Sequence, residues 1–226
     1  MAKKKKSSSG SPISARTLIA GLAVVVAAAA AIAIGSSGGG SSTPKNAAAY
    51  PGGVTPAQFQ PVKITGAKLA PLPESGADPS VGMVAPSIEG YDSNGRPTVV
   101  TPTADGIATM LVFLAHWCPS CNREMPRLMD WYDSGKVPSA LRIVGITTGS
   151  DNARANWPPS DWLDGFKWPW DRLADTKEAE AALAYGVNAY PYFVLIDSTG
   201  KVVKRNAGEV ETADLVQMVD ATIAVK

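Results

Sequence analysis

The feature that most constrains this chain is an uninterrupted apolar run, Met110 to Ala115, which leads directly into the sequence HWCPSC. A short run without polar residues is typical of a strand buried on both faces, because a half-buried strand alternates between apolar and polar residues. Pro119 follows, and proline is favoured in the first turn of a helix. We therefore expect a central strand that opens into a helix, with Cys118 and Cys121, the only two cysteines of the chain, at the junction.

The amino-terminal segment predicts export across a membrane. Four lysines and Arg16 precede an uncharged run from Leu18 to Ile34. A span of about 17–25 apolar residues crosses a bilayer as a helix, and its basic flank tends to stay in the cytoplasm. We predict a cytoplasmic basic segment at 1–16 and a transmembrane helix, or uncleaved signal anchor, at 17–35. The protein would then be a single-pass protein of the cytoplasmic membrane with its carboxy-terminal domain outside.

The alternative for this segment is a cleaved signal peptide, with a small-x-small site at Ala31-Ile32-Ala33. That interpretation gives a secreted protein. Both interpretations export the carboxy-terminal part of the chain, where two cysteines are free to form a disulfide.

Composition and charge divide the remainder of the chain. Residues 36–60 are rich in Ser, Gly, Pro and Ala and predict a flexible tether, whereas residues 61–226 are long enough for one domain with its own core. The first 35 residues hold five of the 21 basic residues, which leaves 16 against 20 acidic residues in the exported part. This mildly acidic balance offers no basic surface for nucleic acid, so we predict no nucleic-acid partner.

Hydrophobic patterning predicts a mixed sheet covered by helices. The predicted elements, in chain order, are a strand near 61–69, two strands within 97–115, a helix at 119–133, a strand at 140–148, a helix at 176–185, a hairpin at 191–209 and a helix at 212–226. The stretch 151–170, which carries four of the six tryptophans, is expected to be irregular.

The cysteine pair has three possible roles. As a structural staple it would close a very short loop, which stabilises a fold by only about 2 kcal/mol. As a zinc site it would need four ligands, and two cysteines with His116 do not supply them, so we predict no metal site. As a reactive pair, Cys118 would gain from the positive end of the helix dipole, which stabilises a thiolate, and Cys121 would lie one turn on.

Three segments together resemble the extracytoplasmic TlpA/ResA/DsbE-like branch of the thioredoxin superfamily. They are VGMVAPSIEGYDSNGRPTVV, LVFLAHWCPSCNREMP and YGVNAYPYFVLIDSTGKVV, in that order along the chain. The resemblance covers about Val81 to Val225. It implies a thioredoxin-like α/β fold, in which a central mixed sheet is flanked by helices, with an N-terminal strand extension.

The resemblance also implies the catalytic roles. Cys118 would be the nucleophile and Cys121 the resolving thiol, and the two would form a redox-active disulfide. Glu124, six residues after the nucleophile, would assist proton movement. The alternative for Glu124 is a surface acid that is favoured near a helix N-terminus by the dipole.

Four further residues would bind substrate. Pro191 would be a cis-proline facing the cysteines, and the backbone of Tyr190 would pair with a substrate strand. The alternative for this pair is an ordinary strand start. Trp117 and Pro119 would flank the thiols, although Trp117 is equally suited to packing at the rim.

Two positions depart from the superfamily pattern, and one stretch of the sequence allows two interpretations. Val112 stands where many thioredoxins carry a buried acid. His116, the only histidine, either tunes Cys118 or is a hydrogen-bonded histidine at the strand end. The stretch Trp157–Trp170 is interpreted as loop packing, with a substrate groove as the alternative.

These features predict a membrane-anchored thiol-disulfide oxidoreductase without a cofactor. The resemblance favours a reductase of exported proteins, of the cytochrome c maturation type, recycled by a membrane electron-transfer partner. One alternative is an oxidase that forms disulfides in exported proteins. The alternative from another class is a redox-inactive or copper-handling binding module, although the wider cysteine spacing and distal histidine of copper-handling relatives are absent here.

Overall fold

The computed structural model describes residues 54–102 and 106–225. The predicted membrane helix at 17–35 and most of the predicted tether lie outside these ranges. Among the described helices none is both long and apolar enough to span a bilayer.

The described residues form eight strands and four helices. In chain order they are β1 (Lys63–Thr65), β2 (Ser87–Tyr91), β3 (Pro97–Val100), β4 (Ala108–Leu114), α1 (Pro119–Asp133), β5 (Leu141–Thr147), α2 (Pro159–Gly165), β6 (Asp171–Ala174), α3 (Glu180–Ala184), β7 (Tyr192–Ile196), β8 (Val202–Ala207) and α4 (Thr212–Ala224).

The strands join into one mixed sheet in the order β1-β2-β6-β5-β4-β7-β8, and β3 pairs with β2. Strand β4 runs parallel to β5 and antiparallel to β7, so it has a partner on each side. Strand β2 pairs antiparallel with both β1 and β3, and these three strands form the extension that precedes the core strands. The prediction of a mixed sheet flanked by helices is confirmed.

Strand β4 is buried along its whole length, as its apolar run predicted. Successive side chains of a strand point to opposite faces, and β4 divides its residues between two cores accordingly. Met110, Val112 and Leu114 pack in one core with α1 and α4, while Leu111 and Phe113 pack in the other with α3. Both faces of β4 are therefore packed up to its last residue, and the cysteine pair follows directly after its carboxyl end.

Four elements differ from the sequence prediction, and the first of them, β2 (Ser87–Tyr91), lies where no strand was predicted. Helix α2 (Pro159–Gly165) lies inside the stretch that was expected to be irregular, and β6 (Asp171–Ala174) follows it. The two prolines before and at the start of α2 hid the helical pattern, although proline in a first turn is compatible with a helix. Helix α3 begins at Glu180, later than predicted, because residues 176–179 form a turn that the side chain of Asp175 organises.

The carboxyl end of the predicted tether makes contacts with the domain. The side chain of Gln58 donates a hydrogen bond to Ser160 Oγ (3.0 Å) and accepts one from the Ser160 backbone N–H (3.1 Å). The Phe59 ring lies 6.0 Å from that of Trp157, and the backbone N–H of Gln60 donates to the Asp175 carbonyl. The structured part of the chain thus begins before residue 61, where sequence composition placed the boundary.

Candidate active site

Cys118 occupies the N-cap position of α1, at the end of the turn that follows β4. Its Sγ atom lies 3.4 Å from the carbonyl oxygen of Tyr190, to which the thiol donates a hydrogen bond. The thiol side chain is almost fully covered, with 8% of the residue exposed. The first turn of a helix has N–H groups without intrahelical partners, so the Cys118 sulfur lies close to free backbone donors.

Cys121 lies one helical turn further on and is fully buried. Burial raises the pKa of its thiol, and a hydrogen bond to the Cys118 side chain and the negative charge of Glu124 raise it further. Cys118 is therefore the accessible sulfur and Cys121 the protected one. Both cysteines are free thiols in this structure, and the disulfide between them stays a prediction.

Pro191 follows a cis peptide bond, as expected from its position before β7. The preceding residue, Tyr190, is half-buried, and its ring meets that of Trp117 edge-on at 6.1 Å. Through its carbonyl Tyr190 contacts Cys118, so the cysteine turn and the start of β7 meet directly.

Glu124 is fully buried, so the alternative of a surface acid is wrong. Its Oε2 atom accepts a hydrogen bond from the backbone N–H of Val210 (3.0 Å) and lies 3.5 Å from Arg127. Among the residues that the structure describes, its Oε1 atom has no hydrogen-bond partner. Burial raises the pKa of the Glu124 carboxyl, although Val210 and Arg127 act in the opposite direction. A buried acid thus lies one helical turn after Cys121, close enough for its charge to raise the pKa of that thiol.

Trp117 and Pro119 form the exposed side of the site. Trp117 is half-buried, and its indole N–H donates to the Gly149 carbonyl (2.7 Å). The guanidinium of Arg154 lies 4.1 Å from the centre of its ring. Pro119 is exposed. Trp117 is therefore held by packing and remains partly accessible, so both of its predicted roles are compatible with the structure.

His116 is buried, and both of its ring nitrogens have partners. Nδ1 lies 2.7 Å from the Ala155 carbonyl, and the backbone N–H of Asp151 donates to Nε2 (3.2 Å). Since a carbonyl only accepts, the proton is on Nδ1 and the ring is neutral. Burial lowers the pKa of His116. The geometry supports the hydrogen-bonded histidine at the strand end, which holds the loop at 149–156 against the site.

The tryptophan-rich stretch packs into the domain, as interpreted from the sequence. Trp162 and Trp168 are buried in the core that also contains the cysteines. The indole N–H of Trp162 donates to Asn122 Oδ1 (2.9 Å), and Asn122 in turn donates to the carbonyls of His116 and Cys118. Both tryptophans therefore lie in the core beneath the active-site helix α1. Since they are buried, these two positions do not favour the alternative interpretation of the stretch as a substrate groove.

Val112, at the position where many thioredoxins carry an acid, is buried in the sheet. Glu124 and Asp175 are the buried acids near the site. Sequence reasoning did not identify Thr148 and Asp175, which are joined by a hydrogen bond of 2.8 Å. An acid placed between a buried strand and a helix start is a signal for helix capping, and it would have indicated Asp175. Across the described residues, no three His, Cys, Asp or Glu side chains are grouped to hold a metal ion.

Comparisons with known proteins give the families and relatives that this chain is similar to. The family model described as Redoxin matches residues 80–222. The thiol-disulfide oxidoreductase ResA of Bacillus thuringiensis is 30% identical over 129 residues, which cover 57% of this chain and 70% of that protein. The methylamine utilization protein MauD of Paracoccus denitrificans is 29% identical over 123 residues, or 54% of this chain, and the match spans only 56% of its length.

Solved structures share the fold. The thioredoxin domain of a thiol-disulfide oxidoreductase from Bacteroides vulgatus has a TM-score of 0.50 and 26% identity, over 65% of this chain and 98% of that one. A putative thiol:disulfide interchange protein DsbE from Chlorobium tepidum has a TM-score of 0.52 and 22% identity, over 63% of this chain and 96% of that one. The latter likeness concerns the fold alone.

Proposed function

The chain belongs to the Redoxin family, and we propose that it is a membrane-anchored, extracytoplasmic thiol-disulfide oxidoreductase of the ResA/DsbE type that reduces disulfides of exported proteins. The observation that carries the proposal is the place of Cys118. Its sulfur is at the start of α1 and 3.4 Å from the carbonyl before the cis-proline, while Cys121 is buried behind it.

The proposed reaction is a two-step exchange. The Cys118 thiolate attacks one sulfur of a substrate disulfide; that bond breaks, a bond between Cys118 and substrate forms, and the departing substrate sulfur takes up a proton. Cys121 then loses its proton and attacks Cys118 Sγ, which forms the Cys118–Cys121 disulfide and releases the second substrate thiol. Two electrons pass from the dithiol to the substrate, and an electron-transfer partner in the membrane restores the dithiol.

Glu124 is proposed to accept the proton of Cys121 in the second step. Burial raises the pKa of Cys121, so this thiol needs a nearby base. Glu124 supplies a carboxyl whose Oε1 has no partner among the described residues, and burial raises its own pKa. A proton acceptor of this kind works best when its pKa lies near the working pH.

The role of Glu124 is tested by the rate at which Cys121 resolves a mixed disulfide. We expect Glu124→Gln to slow this step about tenfold or more, because a positioned base contributes at least that much. Glu211→Gln is the matched control, since Glu211 pairs with the same Arg127 but is 72% exposed. An unchanged rate in Glu124→Gln would remove the proposed role.

The redox direction is tested by the reduction potential of the cysteine pair. A value near about −270 mV, as in thioredoxin, supports the reductase. A value between about −120 and −180 mV contradicts it and favours the oxidase. Cys121→Ser should accumulate a mixed disulfide with its substrates, whereas Cys118→Ser should not. If neither variant forms one, the redox-inactive binding module is favoured.

Anchoring is supported by the basic and apolar segments of residues 1–35, which precede the described part of the chain. The full chain should remain with the membrane fraction after a high-salt wash, and a protease added from outside should digest the domain. Recovery of a shortened, soluble protein from the exterior would instead support signal cleavage and secretion.

A further inference from the structure

An ionic network begins at the buried carboxyl of Glu124 and reaches the protein surface through Arg127. The Nη1 atom of Arg127 lies 3.5 Å from Glu124 Oε2 and 3.3 Å from Glu209 Oε2. Its Nη2 atom lies 3.0 Å from Glu211 Oε1. One guanidinium therefore serves three carboxylates, and its positive charge is divided among them.

Glu209 is held in this network by a second arginine, Arg123. The Nε and Nη2 atoms of Arg123 both donate to Glu209 Oε1, the former at 3.1 Å, and Nη2 also donates to Ser120 Oγ at 3.0 Å. The hydrogen bonds from Arg123 lower the pKa of Glu209. Glu209 is therefore largely ionised over the pH range above 4.5 in which Glu124 titrates.

Two segments of the chain place charged or titratable groups against Glu124. Cys121 and Arg127 lie with it on α1, and Glu209 lies on the segment between β8 and α4. The backbone N–H of Val210, on that same segment, donates to Glu124 Oε2 at 3.0 Å. Burial and the negative charge of Glu209 raise the pKa of Glu124, whereas Val210 and Arg127 lower it.

We propose that Glu209 is a positioning residue for the second step of disulfide exchange. By sharing Arg127, Glu209 leaves Glu124 partly neutralised, and so it sets the pH range over which Glu124 accepts a proton. The inference rests on the proposed function, because Glu124 accepts that proton from Cys121 when the mixed disulfide is resolved. Loss of Glu209 should move this range to lower pH, because Arg127 then pairs more fully with Glu124. Loss of Arg127 should move it to higher pH.

The experiment separates the two steps of exchange. The reduced full-length protein is mixed in stopped flow with 5,5′-dithiobis(2-nitrobenzoate). In the first phase the Cys118 thiolate attacks the probe, forms a mixed disulfide and releases one coloured thiolate. In the second phase Cys121 passes its proton to Glu124 and attacks Cys118, which forms the protein disulfide and releases the second coloured thiolate. The second phase does not depend on probe concentration, so its rate is measured against pH separately.

We expect the second-phase rate of the wild type to rise with pH through a midpoint that reports the ionisation of Glu124. Glu209→Gln should lower this midpoint and Arg127→Gln should raise it, each by about 0.5–1 pH unit, because one charge at this distance shifts a carboxyl by about that much or more. Glu124→Gln should lose the midpoint.

Two controls separate this effect from a general change of charge. Glu211→Gln removes the same charge and also a contact with Arg127, but the Glu211 side chain is 72% exposed, whereas that of Glu209 is 25% exposed. Because water screens an exposed charge, this variant should move the midpoint by less than about half as much. Arg127→Lys keeps the positive charge and should stay closer to the wild-type midpoint than Arg127→Gln. The first-phase rate shows that each variant is folded and reactive.

The outcomes distinguish this inference from the proposed function. Wild-type midpoints in Glu209→Gln and Arg127→Gln, or shifts in the same direction, would overturn the role of Glu209 and leave the oxidoreductase intact. A shift in Glu211→Gln as large as that in Glu209→Gln would overturn this role as well. A wild-type protein that shows no second phase would overturn the proposed function, and the inference with it.

Discussion

At the residue scale, the chemistry of this protein depends on groups whose charge is disfavoured by burial. Cys121 and Glu124 are both fully buried within one turn of α1, and burial raises the pKa of each. Removing a carboxylate from water is costly unless its oxygens are hydrogen-bonded, and one oxygen of Glu124 has no partner in the part of the chain that the structure describes. The protein thus retains an acid that stabilises the fold less when it is ionised, which is typical of a functional group.

Glu124→Gln is expected to change how stability depends on pH. Because the pKa of Glu124 is raised above 4.5 in the folded state, its protonated form favours folding at low pH, and this contribution is lost as pH rises through the folded value. Each pH unit between the two pKa values costs about 1.4 kcal/mol. The unfolding free energy of Glu124→Gln, measured by urea unfolding, should therefore rise relative to that of the wild type as the pH increases above about 4.5. A difference in unfolding free energy between the two proteins that stays constant with pH would contradict the raised pKa of Glu124.

His116→Ala is expected to show the opposite dependence. The pKa of His116 is lowered below 6.5, so the neutral ring stabilises the fold above that pH, and the contribution is lost as the pH falls. At pH 7 the variant loses both hydrogen bonds to the loop at 149–156, at a cost of about 1–3 kcal/mol. The difference in unfolding free energy between wild type and variant should shrink as the pH falls below about 6.5. If the difference in unfolding free energy between wild type and His116→Ala stays the same as the pH falls, protonation of the ring has no effect on stability.

The active residues could be predicted from sequence because their chemistry is encoded locally. Cys118, Cys121 and Pro119 stand together, and Tyr190 with Pro191 precedes an obvious buried strand. Thr148 and Asp175 were missed because their relation is not local. They are 27 residues apart, and only the parallel pairing of β5 with β6 brings them together.

At the element scale, predictability followed the strength of each pattern. Strand β4 and helix α1 were anticipated because a continuous apolar run and a first-turn proline are strong signals. Helix α2 and the strands β2 and β6 were not anticipated. They have seven, five and four residues, too few for a hydrophobic period to be recognised.

Gly145→Ala tests how tightly β5 packs against the tryptophan-rich stretch. A Cβ atom at Gly145 would lie 2.6 Å from Trp168 Cζ2, and Trp168 is 96% buried, with 4% of its surface exposed. The Trp168 indole must shift to avoid this clash, so we expect a loss of about 1–3 kcal/mol in unfolding free energy. Gly165→Ala is the matched control, because a Cβ atom there would meet nothing within 4 Å. Equal stabilities of the two variants would mean that Trp168 moves freely.

At the scale of the whole molecule, composition and contacts divide the chain differently. Residues 36–60 have the composition of a tether, yet residues 54–60 pack against the tryptophan-rich stretch. Trp157 is the link: its ring lies 6.0 Å from Phe59 on one side and 5.7 Å from His116 on the other. Composition cannot reveal such docking, since it depends on two side chains, Gln58 and Phe59, that meet partners about a hundred residues away.

These contacts predict that residues 54–60 stabilise the domain and are more than a linker to it. In the full chain, Gln58→Ala with Phe59→Ala removes two hydrogen bonds to Ser160 and the ring contact with Trp157. We expect the unfolding free energy to fall by about 1–3 kcal/mol. The backbone N–H of Ser160 donates to Gln58, so its hydrogen exchange should also accelerate.

Thr55→Ala is the control within the same segment, because the Thr55 side chain is exposed and the hydrogen bond from Gln60 reaches only its backbone carbonyl. If the double variant matched this control in both unfolding free energy and Ser160 exchange, residues 54–60 would be a passive linker. If the double variant loses stability and the Ser160 amide exchanges faster, the domain begins at least seven residues before the boundary that composition indicates.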